Sequence, residues 1–153
     1  MSLYYPEDPT SLPPELAGTP HPPAATAEPP HTEPAPVDFS AVARDWLAAW
    51  NAHDLEGILA HYAENIVFTS PFVQRLTGRP DGVLHGRGAL RDYFARGLQA
   101  YPDLCFELIH LLPGVRSMVL EYRSVNDLRA AEFMEFDHRG RIRRVCAHYT
   151  PMA

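Results

Sequence analysis

The sequence predicts an α+β domain over residues 38–153, and three observations predict it. Composition breaks near residue 37. Apolar residues recur at helical spacing just after the break. Four apolar runs follow at regular spacing between residues 104 and 149, separated by turn residues. Helices first and a strand meander afterwards suggest an antiparallel sheet with its helices on one face. If the sheet curves strongly, the two layers enclose a cone-shaped cavity of the kind that holds small ligands.

The elements follow in order. Residues 1–37 hold eleven of the sixteen prolines, five acidic residues and no basic residue. Few apolar anchors occur there beyond Leu3, Tyr4, Tyr5, Leu12 and Leu16, so the segment reads as a disordered, proline-rich tail. It has neither the positive start nor the apolar stretch of a secretory signal. Phe39, Val42, Ala43, Trp46, Leu47 and Trp50 make the stripe of a first helix. Asp54 is a good N-cap for a second, with Leu55, Ile58, Leu59, Tyr62 and Ala63 as its apolar face. Residues 66–70 form a first strand stopped by Pro71, and 73–82 read as a loop. Val83–His85 makes a short edge strand. A third helix opens at Gly86 and ends at Tyr101-Pro102. Strands are expected at 104–112, 117–125, 130–137 and 141–149. Their turns lie at Pro113-Gly114, Asn126-Asp127 and Asp137–Gly140.

Charge and composition exclude several functions. Residues 38–153 carry fourteen acids and thirteen bases, without the net basic balance of a nucleic-acid footprint. All thirteen bases are arginine, so lysine nucleophiles and lysine Schiff bases are excluded. Cys105 and Cys146 each sit in a strand-like run and read as buried reduced thiols of a cytoplasmic protein. No apolar run approaches the roughly twenty residues that span a bilayer. The eight histidines are scattered, with no metal-binding spacing, so neither a metal nor another cofactor is expected.

The stretch AEFMEF, residues 131–136, sets a question for the last third. Alternation puts Glu132, Met134 and Phe136 on one face and Ala131, Phe133 and Glu135 on the other. One carboxylate must face inward, and an unpaired buried charge is costly.

The words WLAAWNAHDLEGILAHYAENIVFTSP (46–71), HGRGALRDYFARGL (85–98) and EFMEFDHRGRIRRVCAHY (132–149), in this order and spacing, resemble the SnoaL-like branch of the nuclear transport factor 2-like superfamily. The resemblance covers roughly residues 40–149. It implies an α+β cone with a deep pocket and a homodimer formed through the open sheet face. That superfamily includes ketosteroid isomerases, polyketide cyclases, epoxide hydrolases and non-catalytic binding domains, so the fold does not supply the activity. Against the ketosteroid isomerases, the general base aligns with Ser70. The two oxyanion-hole tyrosines align with Trp46 and Phe94, the supporting tyrosine with Tyr62, and the protonated acid with Glu132. The base is missing and one donor has become Phe94, so steroid isomerisation is not expected.

Glu132 is then the inward carboxylate, acting as acid, base or hydrogen-bond donor with Tyr62 as a donor beside it. The alternative is an ion pair with Arg123 or Arg129 that only holds the sheet. Trp46, Trp50, Phe68, Ser70, Phe72, Tyr93, Phe94, Met134 and Tyr149 are the candidate pocket lining, suited to a flat or polycyclic apolar ligand. The resemblance places Tyr149 inside and His148 outside; a bulge at the 137–140 turn would reverse that, and periodicity does not decide, since both faces of 141–149 are mixed. Two functions stay open: an isomerase-, cyclase- or lyase-type enzyme working by proton transfer on an apolar cyclic substrate, or a non-catalytic small-ligand or dimerisation domain.

Overall fold

The computed structural model describes residues 33–153. Most of the expected tail, residues 1–32, lies outside the described residues. Helix α1 (Phe39–Asn51) starts at the Asp38 N-cap, whose carboxylate accepts from Ala41 N at 3.1 Å. Helix α2 (Leu55–Leu59) is capped the same way by Asp54. Strand β1 (Tyr62–Thr69), helix α3 (Pro71–Thr77), strand β2 (Val83–His85) and helix α4 (Arg87–Ala100) follow. Strands β3 (Glu107–Pro113), β4 (Ser117–Arg123), β5 (Leu128–Phe136) and β6 (Ile142–Pro151) complete one six-stranded sheet in the order β2-β1-β6-β5-β4-β3.

The α+β class and the four-strand meander are as expected, with three local differences. First, α2 is shorter than expected, five residues closed at Ala60. Tyr62 and Ala63 therefore belong to β1, where Tyr62 pairs with Ile142. Second, residues 71–77 are helical, so the first half of the loop expected at 73–82 is helix instead. Ser70 caps the helix by accepting from Phe72 N at 3.2 Å, and Pro71 occupies its first turn. Gly78 ends it in the left-handed conformation at φ 72°. Pro71 thus both stops a strand and starts a helix. Third, β1 runs parallel to β6 while the other pairs are antiparallel.

Burial alternates along the sheet. Met118, Leu120 and Tyr122 of β4, with Ala130, Glu132, Met134 and Phe136 of β5, face inward and are buried. β6 reaches the same face through a bulge. Glu135 pairs with Arg144 and Phe136 with Ile142, which leaves Arg143 as the extra residue. Ile142 before it and Val145, Ala147 and Tyr149 after it can then all point inward. His148 is exposed. Cys146 is half-buried and Cys105 exposed, against the expectation of two buried thiols. Cys105 points away because Leu104 and Phe106 on either side take the core positions. Among the described residues, no helix is long and apolar enough to cross a membrane, and no cluster of side chains could hold a metal ion.

Candidate functional site

Glu132 sits mid-strand on β5, between Leu120 of β4 and Ala147 of β6. It is only 3 % exposed. The Tyr122 hydroxyl donates to its Oε2 at 2.7 Å. No arginine reaches it among the described residues. Arg129 is bonded to Glu121, and Arg123 lies 3.8 Å from Asp127. Burial without a counter-charge pushes the Glu132 carboxyl up to about 7, with the Tyr122 hydrogen bond acting the other way. The carboxyl is therefore divided between its two protonation states near neutral pH.

Four tyrosines surround it from four different strands and helices. Burial, then the nearby Glu132 charge, raises the hydroxyls of Tyr62 on β1 and Tyr122 on β4. Tyr149 on β6 is raised by the same causes in the same order. Tyr93 on α4 is raised by burial first, with the Ser70 hydroxyl opposing and the Glu132 charge adding less. All four remain protonated, neutral hydroxyls at physiological pH.

Glu132 forms part of the wall of a cavity of about 60 Å³. Water needs on the order of 10–15 Å³ on such a scale, so the space as it stands holds a few waters, and a small ring enters only with some side-chain movement. It is below the roughly 300–1,000 Å³ of pockets for drug-sized ligands. A polycyclic body therefore does not fit without side-chain movement, which narrows the expected ligand. The walls are apolar and mostly aromatic.

Of the candidate lining, Trp46, Trp50, Phe68, Phe72, Tyr93, Phe94 and Tyr149 line this cavity. Two of that set, Ser70 and Met134, do not, and neither does the candidate donor Tyr62. Tyr62 is fully buried behind the wall, where its hydroxyl accepts from Trp46 Nε1 at 2.9 Å. Ser70 caps α3, and its hydroxyl also lies within reach of the Tyr93 and Tyr149 hydroxyls without lining the cavity. Met134 is fully buried in the core beneath. Sequence reasoning missed Tyr122, Phe106 and Gly97, which also line the cavity. The sequence shows Tyr122 on the period-two face of Met118 and Leu120, but only the β4–β5 register, which pairs it with Ala130, brings it beside Glu132. Phe106 is set by Asn51, whose side chain bonds both its N and its O, at 2.7 and 2.9 Å. No local pattern announces that contact across 55 residues.

Residues 43–150 match the family model of the SnoaL-like domain. Solved structures agree. A SnoaL-like protein of unknown function from Burkholderia thailandensis is 38 % identical, with a TM-score of 0.73 over 77 % of this chain and 99 % of that one. A proposed ketosteroid isomerase from Kribbella flavida is 21 % identical, with a TM-score of 0.57 over 74 % and 78 %. The epoxide hydrolase/cyclase-like enzyme SalBIII, of pyran ring formation in salinomycin, is 19 % identical, with a TM-score of 0.59 over 73 % and 90 %. The last two likenesses show the fold alone. No curated protein matches the chain. With the family model spanning most of the described residues, this chain belongs to the SnoaL-like family of the nuclear transport factor 2-like fold.

Proposed function

We propose that the cavity is the active site of a small-molecule enzyme of the isomerase, cyclase or lyase type. Glu132 transfers a proton to or from an apolar cyclic substrate. The observation that supports this is a buried carboxyl with no counter-ion, on a cavity wall, brought close to neutral pH by its surroundings. A general base works best with a pKa near the operating pH. Tyr122 holds the carboxyl by its Oε2 and leaves the other oxygen for the substrate. Tyr62 acts at one remove, by fixing the Trp46 indole. The substrate is a single small ring.

Exchange of ring protons into D₂O tests this directly. A panel of small cyclic ketones and lactones is followed by NMR. Exchange should rise as pH passes through about 7, as the carboxylate forms. Glu132→Gln should slow it by about a hundredfold or more. A variant as fast as the wild type removes Glu132 from the role.

The second reading is a non-catalytic binding domain. It is favoured by one observation: Glu132 is the only carboxyl among the cavity's wall residues and the tyrosines beside it stay protonated, whereas acid–base sites often pair two groups with separated pKa values within working range. Binding of the panel without any exchange would select it.

The proposed partner on the other side of the sheet is a second copy of the chain. Leu112, Val119, Phe133 and Cys146 pair in sequence across β3, β4, β5 and β6, forming an apolar row on the outer face. Charged pairs flank it, Glu121 with Arg129 and Glu135 with Arg143. An apolar centre within a polar rim is the composition of a protein interface.

A further inference from the structure

Trp46 and Trp50 stand one turn apart on α1, and both line the cavity. Their indole N–H groups have different fates. Trp46 donates to the Tyr62 hydroxyl at 2.9 Å. Trp50 is 7 % exposed, and its Nε1 is buried with no acceptor among the described residues. Its neighbours are rings: Phe94 at 4.8 Å and Phe106 at 5.3 Å between centroids. A ring face replaces only part of a hydrogen bond. Buried donors are nearly always satisfied, so an unmet one on a side chain of the cavity wall points to a partner that arrives from outside and meets it once the indole tilts toward the space.

We propose that the Trp50 N–H is the anchor for an acceptor oxygen on the ligand. The cavity then takes a small ring bearing a carbonyl, lactone or ether oxygen. This rests on reading the cavity as a binding site and adds which ligands it selects. The ring body fills the aromatic space, where apolar contact is unselective. The oxygen is selected because its absence leaves the donor unmet. Sites built around a buried polar group reject analogues that cannot bond it more strongly than apolar walls reject a change of shape. Trp50 also fixes the ligand's orientation, with the oxygen toward α1 and the rest of the ring toward β5 and Glu132.

The test compares cyclohexanone with methylenecyclohexane, which has a CH₂ group in place of the oxygen. Both are titrated by ligand-observed NMR. The wild type should prefer the ketone by about tenfold, the worth of one buried hydrogen bond. In Trp50→Phe the preference should disappear or reverse, because the carbonyl then gives up its water for no new donor. In Trp46→Phe, which loses similar ring volume but a donor already satisfied within the protein, it should persist. Taking the ratio within each variant cancels the effect of lost volume. Equal binding of both probes to the wild type overturns the Trp50 anchor and leaves the cavity reading standing. A ketone preference that survives in Trp50→Phe does the same. Failure of both probes to bind the wild type removes the anchor and the binding site together.

Discussion

The two faces of β5 carry the same kind of residue and treat it in opposite ways. Glu132 and Glu135 are three positions apart, so they point to opposite sides of the sheet. Glu135 meets Arg143 at 2.6 Å and has Arg144 at 3.6 Å, and it is partly exposed. Glu132 meets a tyrosine and a cavity. The outer carboxylate is neutralised by its own chain. The inner one is left to the pH or to a ligand. What a glutamate does here is set by the face it occupies, since strand, neighbours in sequence and residue type are shared.

The largest test of that contrast lies in packing. Met134 is fully buried on the inner face, and Phe133 is half-buried on the outer one. Met134→Ala should cost about 2–5 kcal/mol in urea unfolding, as core truncations do. In a lone chain, Phe133→Ala should cost about 1 kcal/mol or less, from a ring partly in water with Arg144 stacked over it at 5.5 Å. Equal losses, with a Phe133→Ala stability that depends on protein concentration, would mean that a second copy buries the outer face. Sedimentation of both variants distinguishes the cases.

The next test is the pH dependence of stability. The Glu132 carboxyl titrates near 4.5 in the unfolded chain and at about 7 in the folded one. Between those values the folded state binds more protons than the unfolded state. Stability from this group is therefore complete below about pH 4.5 and is lost as pH rises through about 7. The loss totals on the order of 3 kcal/mol. Glu132→Gln removes the titration. Unfolding midpoints at pH 5 and pH 8 should show the variant gaining on the wild type by that amount. Glu135→Gln should track the wild type at both pH values to within about 1 kcal/mol, since its pair is partly exposed. If Glu132→Gln also tracks the wild type, the inner carboxyl is not uncompensated.

Periodicity made the sheet and the first and last helices legible, because each buries one continuous face. It failed where a residue serves two elements. Pro71 ends β1 and opens α3, and only the cap geometry of Ser70 separates those roles. Tyr62 fits the apolar face of a longer α2, but its pairing with Ile142 across the sheet takes it into β1. In the site, the inward choice of Glu132 followed from the resemblance together with alternation. Tyr122, which holds that carboxyl, was not identified because its importance depends on the β4–β5 register. Phe106 depends on a clamp from Asn51, far away in sequence. Long-range contacts of this kind leave no local trace.

The smallest expected effect tests whether the inner face keeps its space for a reason. Gly97 lies within α4 and on the cavity wall. A Cβ built there meets nothing within 4 Å. Glycine in a helix interior costs about 1 kcal/mol relative to alanine. Gly97→Ala should therefore raise stability by up to about 1 kcal/mol in urea unfolding. The added methyl also projects into open space that a ligand would use. If the cavity is a binding site, the same variant should weaken binding of a small ring such as cyclohexanone while it stabilises the fold. Opposite signs from one methyl group separate a site from a packing defect. A packing defect would give the gain in stability with no loss of binding, and the inner face would then differ from the outer one only in burial.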